Sequence, residues 1–253
     1  MKDLIVFSVG SSRYALDIEN IQRIIQVFDM SEIPNAHKFI DGMMSYEGKV
    51  IKVVSFRKII GLLTYDEELV QLFDKLKKAH QAWVDELEIS IKNGSKFTRE
   101  LDPNKCELGK WLNAFNSYDD EIGKTFKRLY ENHKNLYITG ANILKTLQDD
   151  KEKAIEEFNK SIYDIFYQTM NEIDSFIAKV DKVANSLQKL VIYESNNNIF
   201  AVKVDKIEDI AHIEDNEVMN NDEDNNSDFL ELLGVLNLDD VLINVIKTIN
   251  IPI

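Results

Sequence analysis

The hydrophobic period changes twice along this chain, and a single type of secondary structure cannot accommodate both changes. Up to residue 62 the apolar residues come in short runs rich in Val, Ile, Phe and Tyr, "LIVFSVG", "RYALDI" and "KVIKVVSF", separated by "GSS" and "YEG". Runs of this kind bounded by turn residues predict β-strands. From Asp66 to about Gln188 the spacing becomes that of a helix face, with Leu69, Leu72, Phe73, Leu76, His80, Trp83 and Leu87 on one stripe. Beyond residue 188, "KLVIYES", "NIFAVKV" and "VLINVIKTINI" restore the strand pattern, and "NNN" marks a hairpin turn.

Neither β half alone has a comfortable number of strands for a stable sheet. The order β, α, β therefore predicts one β domain split by a helical insertion, an α+β multidomain chain divided at 1–64, 66–187 and 188–253. The length of 253 residues suits more than one core. Within the insertion, two further long helices are expected at roughly 118–147 and 150–187, with apolar positions at Ile122, Phe126, Leu129, His133 and Leu136, then Ile162, Phe166, Ile173 and Ile177. Between the first and second lies "NGSKFTRELDPNKCELGKWLNAFN", a loop with a short helix. An antiparallel four-helix bundle is the natural architecture for such a segment. "ENIQRIIQVFDM" suits a short helix and a strand equally well.

Forty-four acidic residues against thirty basic ones give a formal charge of −14, with no face set up to neutralise phosphates, so nucleic acid is excluded as a partner. No apolar run approaches the ~20 residues that span a bilayer, and "MKDLIVFSVG" lacks a basic leader, so a cytoplasmic protein without direct membrane insertion is expected. The stretch 214–228 holds seven carboxylates. Asp222, Asp224, Asn226 and Asp228 alternate as in a calcium loop, but Ser227 and Leu233 stand where glycine and a bidentate glutamate are needed, so a solvated, mobile loop is the reading.

A lone histidine on an apolar helix face is ordinarily a core residue, and a lone cysteine ordinarily inert packing. Here two of the four histidines and the sole cysteine lie in the helical segment at positions 80, 106 and 133, intervals of 26 and 27 residues. Antiparallel helices of about 25 residues return such positions to a similar height, so His80, Cys106 and His133 can converge. Imidazole nitrogen with thiolate sulfur is a donor set that Zn2+ prefers. His37 and His212 have no clustered partner and read as surface or structural residues.

The words around these residues, "H80-x-x-W83", "C106-x-L-G-K-W111" and "H133-x-x-L-Y137", resemble the chemoreceptor zinc-binding (CZB) domain. Its pattern is a His near a Trp, a Cys-x-x-Gly-Lys-Trp word and a final His-x-x-x-His pair. The resemblance covers residues 66–187 and implies metal ligands at His80, Cys106, His133 and position 137, with Trp83, Gly109, Lys110 and Trp111 as supporting motif residues. It also implies possible pairing into a homodimer. This chain has Tyr137 in place of the last histidine, and a neutral phenol is a poor zinc ligand. Three outcomes stay open: zinc on three protein ligands plus water, a fourth ligand from a nearby carboxylate, or a decayed site without metal.

Residues 1–64 and 188–253 look like the CheW-like chemotaxis coupling domain. The resemblance rests on the Tyr14-Ala15-Leu16 strand, the Ile33-Pro34 turn, the hairpin from Gly42 to Gly48 and the strand Val204-Asp205-Lys206-Ile207. It implies two small β-barrel subdomains that bridge chemoreceptor cytoplasmic tips and a chemotaxis histidine kinase. In the family an Arg precedes the second hairpin glycine and helps contact receptors; here Glu47 precedes Gly48, a reversal of charge that changes which receptor surface would fit. The expected function is a non-enzymatic adaptor carrying a Zn-thiolate module that senses zinc or oxidants. The alternatives are a scaffold with a vestigial metal site and a zinc-dependent hydrolase; the hydrolase is disfavoured because no carboxylate stands at a fixed short spacing from a ligand to act as base.

Overall fold

The computed structural model of the chain describes residues 2–28, 30–117, 119–195, 197–214, 217–219 and 227–251. The chain forms two compact units, one made of Met1–Tyr65 with Asn185–Ile253 and the other of Asp66–Ala184.

The first unit contains β1 (Lys2–Val9), β2 (Ser12–Asp17), β3 (Ile21–Gln26), β4 (Ile40–Tyr46), β5 (Lys49–Ser55), the single-turn helix α1 (Phe56–Ile59), β6 (Lys189–Ser195), β7 (Asn198–Val204), β8 (Lys206–Ile213), β9 (Leu230–Leu238) and β10 (Val241–Ile249). They form two five-stranded sheets, ordered β8-β1-β2-β10-β9 and β3-β6-β7-β5-β4. Both sheets draw strands from both sides of the helical segment, and the two halves meet through parallel pairs, β2 with β10 and β5 with β7, and through antiparallel pairs, β1 with β8 and β3 with β6. Neither half could therefore complete a sheet by itself.

The closed barrels implied by resemblance are absent among the described residues. Closure needs the two end strands of a row to pair, whereas β8 and β9 end one row and β3 and β4 the other without pairing. Asp222, Asp224 and Asn226 of the acidic stretch lie outside the described residues.

Strand periodicity sorts the side chains. On β1, Phe7 and Val9 join a buried cluster with Tyr14, Phe56, Tyr193 and Phe200, while Leu4 and Val6 face the opposite way onto Ala15, Leu236 and Val245. Each such large side chain contributes roughly 1.5–3 kcal/mol when taken out of water. The ambiguous segment after β2 resolves as a 3-10 turn, Ile18–Asn20, followed by β3; the Asp17 carboxylate accepts the Glu19 N–H and starts the turn. β9, "LELLGVLNL", escaped the strand reading because its register against β10 shifts at Val245/Ile246 and Ile246/Thr248, which breaks the alternation.

Where the chain leaves this unit and returns to it, a buried ion pair ties the two ends. Arg57, 1% exposed, grips Asp205 with Nε at 2.7 Å from Oδ1 and Nη2 at 2.6 Å from Oδ2. Its Nη1 donates to the Leu63 carbonyl at 3.1 Å on the outgoing side, and its guanidinium lies 4.6 Å from the Tyr65 ring centre. On the returning side, Gln188 Nε2 donates to Asp205 Oδ1 at 3.1 Å, and Gln26 Nε2 donates to the Asn185 carbonyl at 2.6 Å.

The second unit is helical: α2 (Tyr65–Asn93, whose first residue belongs to the first unit), α3 (Glu107–Ala114), α4 (Asp120–Asp149), α5 (Lys151–Ile177) and α6 (Val180–Leu187), which ends in the first unit. Asp119 caps α4 by accepting from the Glu121 and Ile122 N–H groups. Asp150 alone separates α4 from α5 and caps the latter through Lys153 N–H, so the two helices turn back on each other. The expected helix 150–187 is two helices. At the break the Lys179 N–H bonds to Phe176 O, three residues back instead of four, and α6 starts afresh. Of the sequence stripe, Leu69, Phe73, Leu76, His80, Trp83 and Leu87 are buried on α2 and Leu72 is half-buried; Val84, Ser90 and Ile91 are buried besides.

Candidate metal centre

Three elements of the helical unit deliver the expected donors. His80 lies on the buried stripe of α2 and His133 on that of α4, where Leu129 precedes it by one turn and Leu136 follows it. Cys106 is the residue that starts α3. Its sulfur accepts the Gly109 N–H at 3.2 Å, in the manner of an N-cap, and its S–H faces the Pro103 carbonyl at 3.4 Å. This turn explains the glycine of the Cys-x-x-Gly word: a Cβ at Gly109 would stand 1.8 Å from Pro103 O. No side chain larger than hydrogen fits without moving the backbone that carries the sulfur.

One nitrogen of each imidazole and the Cys106 sulfur lie within 4.8 Å of one another, and no Asp or Glu joins this group among the described residues. Cys106 Sγ stands 3.2 Å from His133 Nε2, and the two imidazole rings are 5.2 Å apart, centre to centre. His80 Nδ1 is 2.7 Å from the Leu76 carbonyl, to which it donates. That fixes the tautomer and leaves Nε2 as a lone pair; it is buried and has no hydrogen-bond partner. An orphaned buried acceptor costs about 1–3 kcal/mol, and a ligand on Nε2 would relieve that cost.

The electrostatics favour neutral imidazoles, the form that ligates metals. Burial pushes the His133 imidazole down to about 3, with His80 adding to the fall. His80 is lowered as well, by burial against a partly opposing bond to Leu76. His80 and His133 are 3% and 2% exposed, whereas Cys106 is half-buried and marks the side nearest solvent. Two nitrogen donors and one sulfur suit a borderline-soft divalent ion such as Zn2+.

Tyr137 lies beside this group, 3% exposed, with its ring 4.9 Å from that of His133 and 6.0 Å from that of His80. Burial first, and then the neighbouring Cys106, hold its phenol above the ordinary pKa. Trp83 backs the tyrosine at 4.9 Å and donates its indole N–H to the Glu100 carbonyl at 2.9 Å, which pins the loop leading to Cys106. The other motif residues stand apart from the donors. Lys110 is exposed, and Trp111 packs among Phe73, Phe115 and Phe176.

Gly140, one turn beyond Tyr137, was overlooked in the sequence. A Cβ there would meet the Trp83 ring at 2.3 Å, so its missing side chain is what lets Trp83 lie flat behind the site. An isolated glycine inside a helical stripe was the available signal.

His37 and His212 join no metal-ligating group among the described residues: the His37 ring packs on Phe39 at 4.0 Å, and His212 Nδ1 pairs with Asp3 at 2.7 Å on the surface. In the first unit, Glu47 and Gly48 form the two-residue turn between β4 and β5, both with positive φ (48° and 78°). Glu47 lies 4.0 Å from Arg23, both side chains being exposed.

Residues 3–74 match the family model of the CheW-like domain, and residues 80–144 match that of the chemoreceptor zinc-binding domain. The second span contains His80, Cys106, His133 and Tyr137. Chemotaxis protein CheW of Thermotoga maritima is 29% identical over 66 residues, 26% of this chain and 43% of that protein, so the match spans less than half of that relative. Among solved structures, the scaffolding protein TtCheW from Thermoanaerobacter tengcongensis aligns over 98% of this chain and 89% of its own at 13% identity, with a TM-score of 0.45. The regulatory CZB domain of DgcZ aligns over 46% of this chain and 98% of its own at 11% identity, with a TM-score of 0.39. The chain thus joins a CheW-like region to a chemoreceptor zinc-binding region, and neither family model describes an enzyme.

Proposed function

We propose that the chain is a cytoplasmic chemotaxis adaptor. In this reading the β unit couples chemoreceptor cytoplasmic tips to a histidine kinase, and the helical unit, an antiparallel bundle inserted between residues 64 and 188, reports on zinc or oxidants through a zinc-thiolate centre. The observation that carries it is the meeting of His80, Cys106 and His133 within 4.8 Å, with a stranded His80 Nε2, inside the span matched by the zinc-binding model.

Bound Zn2+ would hold Cys106 as thiolate, the form that oxidants attack. The chain's own part is to hold two neutral imidazoles and one sulfur at the junction of α2, α3 and α4. Loss of that junction loosens the packing of the helices on each other. The helical unit is joined to the β unit at Tyr65–Asp66 and Ala184–Asn185, next to the residues tied by Arg57 and Asp205. A repacking of helices therefore acts on the two ends that this ion pair fixes.

Tyr137 in the place of a fourth histidine favours a second reading, a scaffold whose site no longer holds metal. The two readings separate in a reconstituted receptor–kinase assay with added zinc or hypochlorite. Kinase output should respond with wild type and lose the response with Cys106→Ala. Equal responses from both proteins would leave only the scaffold.

A further inference from the structure

His80 and His133 stand on the long helices α2 and α4, but the sulfur reaches them from a different kind of support. Between Asn93, the last residue of α2, and Cys106 the backbone forms neither helix nor strand, so the third donor is only as firmly placed as the bonds that hold this arm. The end of the arm nearest the sulfur is stiffened from within. The Glu100 carboxylate accepts the Leu101 and Asp102 N–H groups, each at 2.9 Å, and Asp102 accepts the Asn104 N–H at 2.9 Å. A shift at Thr98 is therefore carried along these turns to Pro103, whose carbonyl faces the Cys106 sulfur.

Thr98 is held by one carboxylate. Glu86 Oε1 accepts both the Thr98 N–H at 2.8 Å and the Thr98 hydroxyl at 2.7 Å, while Oε2 accepts Arg99 Nε at 2.8 Å. Glu86 stands on α2 six residues beyond His80, a rise of about 9 Å, so the helix that carries one donor also anchors the arm that carries another. Trp83 secures the same arm through the Glu100 carbonyl, but its ring also packs on Tyr137, so replacing it disturbs the centre directly. Glu86 lies outside the donor group. We infer that Glu86 is a positioning residue for the Cys106 sulfur, an inference that rests on the metal reading given above: through Thr98 and Arg99 it holds the arm so that the sulfur meets the two imidazoles. Without the carboxylate the imidazoles keep their places on the helices, and the thiol spends more time away from them.

Because the chain has one cysteine, a thiol reagent such as Ellman's reads Cys106 alone. In the metal-free full chain, Glu86→Ala should react faster than wild type. Its zinc affinity, read by competition with a chelator, should fall about tenfold, the low end of the effect of groups that orient a ligand. Glu86→Gln keeps an oxygen for Thr98 and should recover most of that affinity. Thr98→Val removes the hydroxyl from the other side of the same bond without touching α2, and should move both readouts in the direction of Glu86→Ala. Cys106→Ala separates positioning from general packing: in that background Glu86→Ala should cost no further zinc affinity, because the arm no longer carries a donor. An equal loss in both backgrounds would overturn the inference, as would a Glu86→Ala protein with the thiol rate and zinc affinity of wild type. A wild-type chain that binds no zinc would overturn the metal reading, and the thiol rates of the metal-free proteins would still decide whether Glu86 holds the arm.

Discussion

At the scale of single residues, the centre depends as much on two glycines as on its donors. Gly109 lets the backbone of Pro103 pass the start of α3, and Gly140 lets Trp83 lie behind Tyr137. Gly140→Ala places a methyl group against the Trp83 ring, and that ring is held by Tyr137, Phe97 and the Glu100 carbonyl. Overpacking of this kind costs about 1–3 kcal/mol. Urea denaturation followed by tryptophan fluorescence should show that loss, despite alanine's higher helix propensity; a stabilised Gly140→Ala would mean that Trp83 has room to move. The three residues were legible in the sequence because histidine and cysteine are rare and stand in distinctive words. The expected return of helices about 25 residues long did not hold for Cys106, which reaches the group from the start of the eight-residue α3 and not from a long helix. Gly140 was not legible, because a glycine shows nothing of the indole it makes room for.

At the scale of elements, turns and clasps decide how the strands are held. The β4–β5 turn places Glu47 at φ 48°, a conformation that glycine or asparagine adopts at less cost. Glu47→Asn should stabilise the β unit by about 1 kcal/mol, read as a rise in its unfolding midpoint; a fall would mean that the exposed contact with Arg23 outweighs the backbone strain. The pair Arg57–Asp205 works at higher stakes because it is buried. Arg57→Met leaves the Asp205 carboxylate with Gln188 and the Gly10 N–H as its partners among the described residues, and removing one partner of such a pair costs roughly 3–5 kcal/mol. Chemical denaturation of the variant should show it, and a loss below about 1 kcal/mol would mean that solvent reaches the carboxylate. Arg57 carried no sequence signal as a clasp: its partner is 148 residues away, across the helical segment. The same distance hid the sheet order, in which β2 pairs with β10 and β5 with β7. Strand patterning gives the existence of strands, while their neighbours are set by packing.

At the scale of the whole molecule, the double change of hydrophobic period was the most legible feature, since period 2 and period 3.6 cannot share one element. The point where α5 gives way to α6 was not, because the turn at Ala178–Lys179 contains neither glycine nor proline and only a shortened hydrogen bond marks it. The open ends of both sheets were hidden for a related reason: alternation tells which face of a strand is buried but not whether its edge finds a partner. What the sequence did show about function is a β unit and a helical unit on one chain, with the candidate metal donors His80, Cys106 and His133 in the helical one. The central claim is therefore that His80, Cys106 and His133 together hold one ion. A competition titration of the full chain with a zinc-selective chelator, in wild type and in His80→Gln, Cys106→Ala and His133→Gln, measures it directly. One zinc per chain, weakened more than about 100-fold by each substitution, is the predicted result, beyond the 10–100-fold range of residues that merely support a ligand. Zinc binding left unchanged by all three substitutions, or no binding in the wild type, would contradict it.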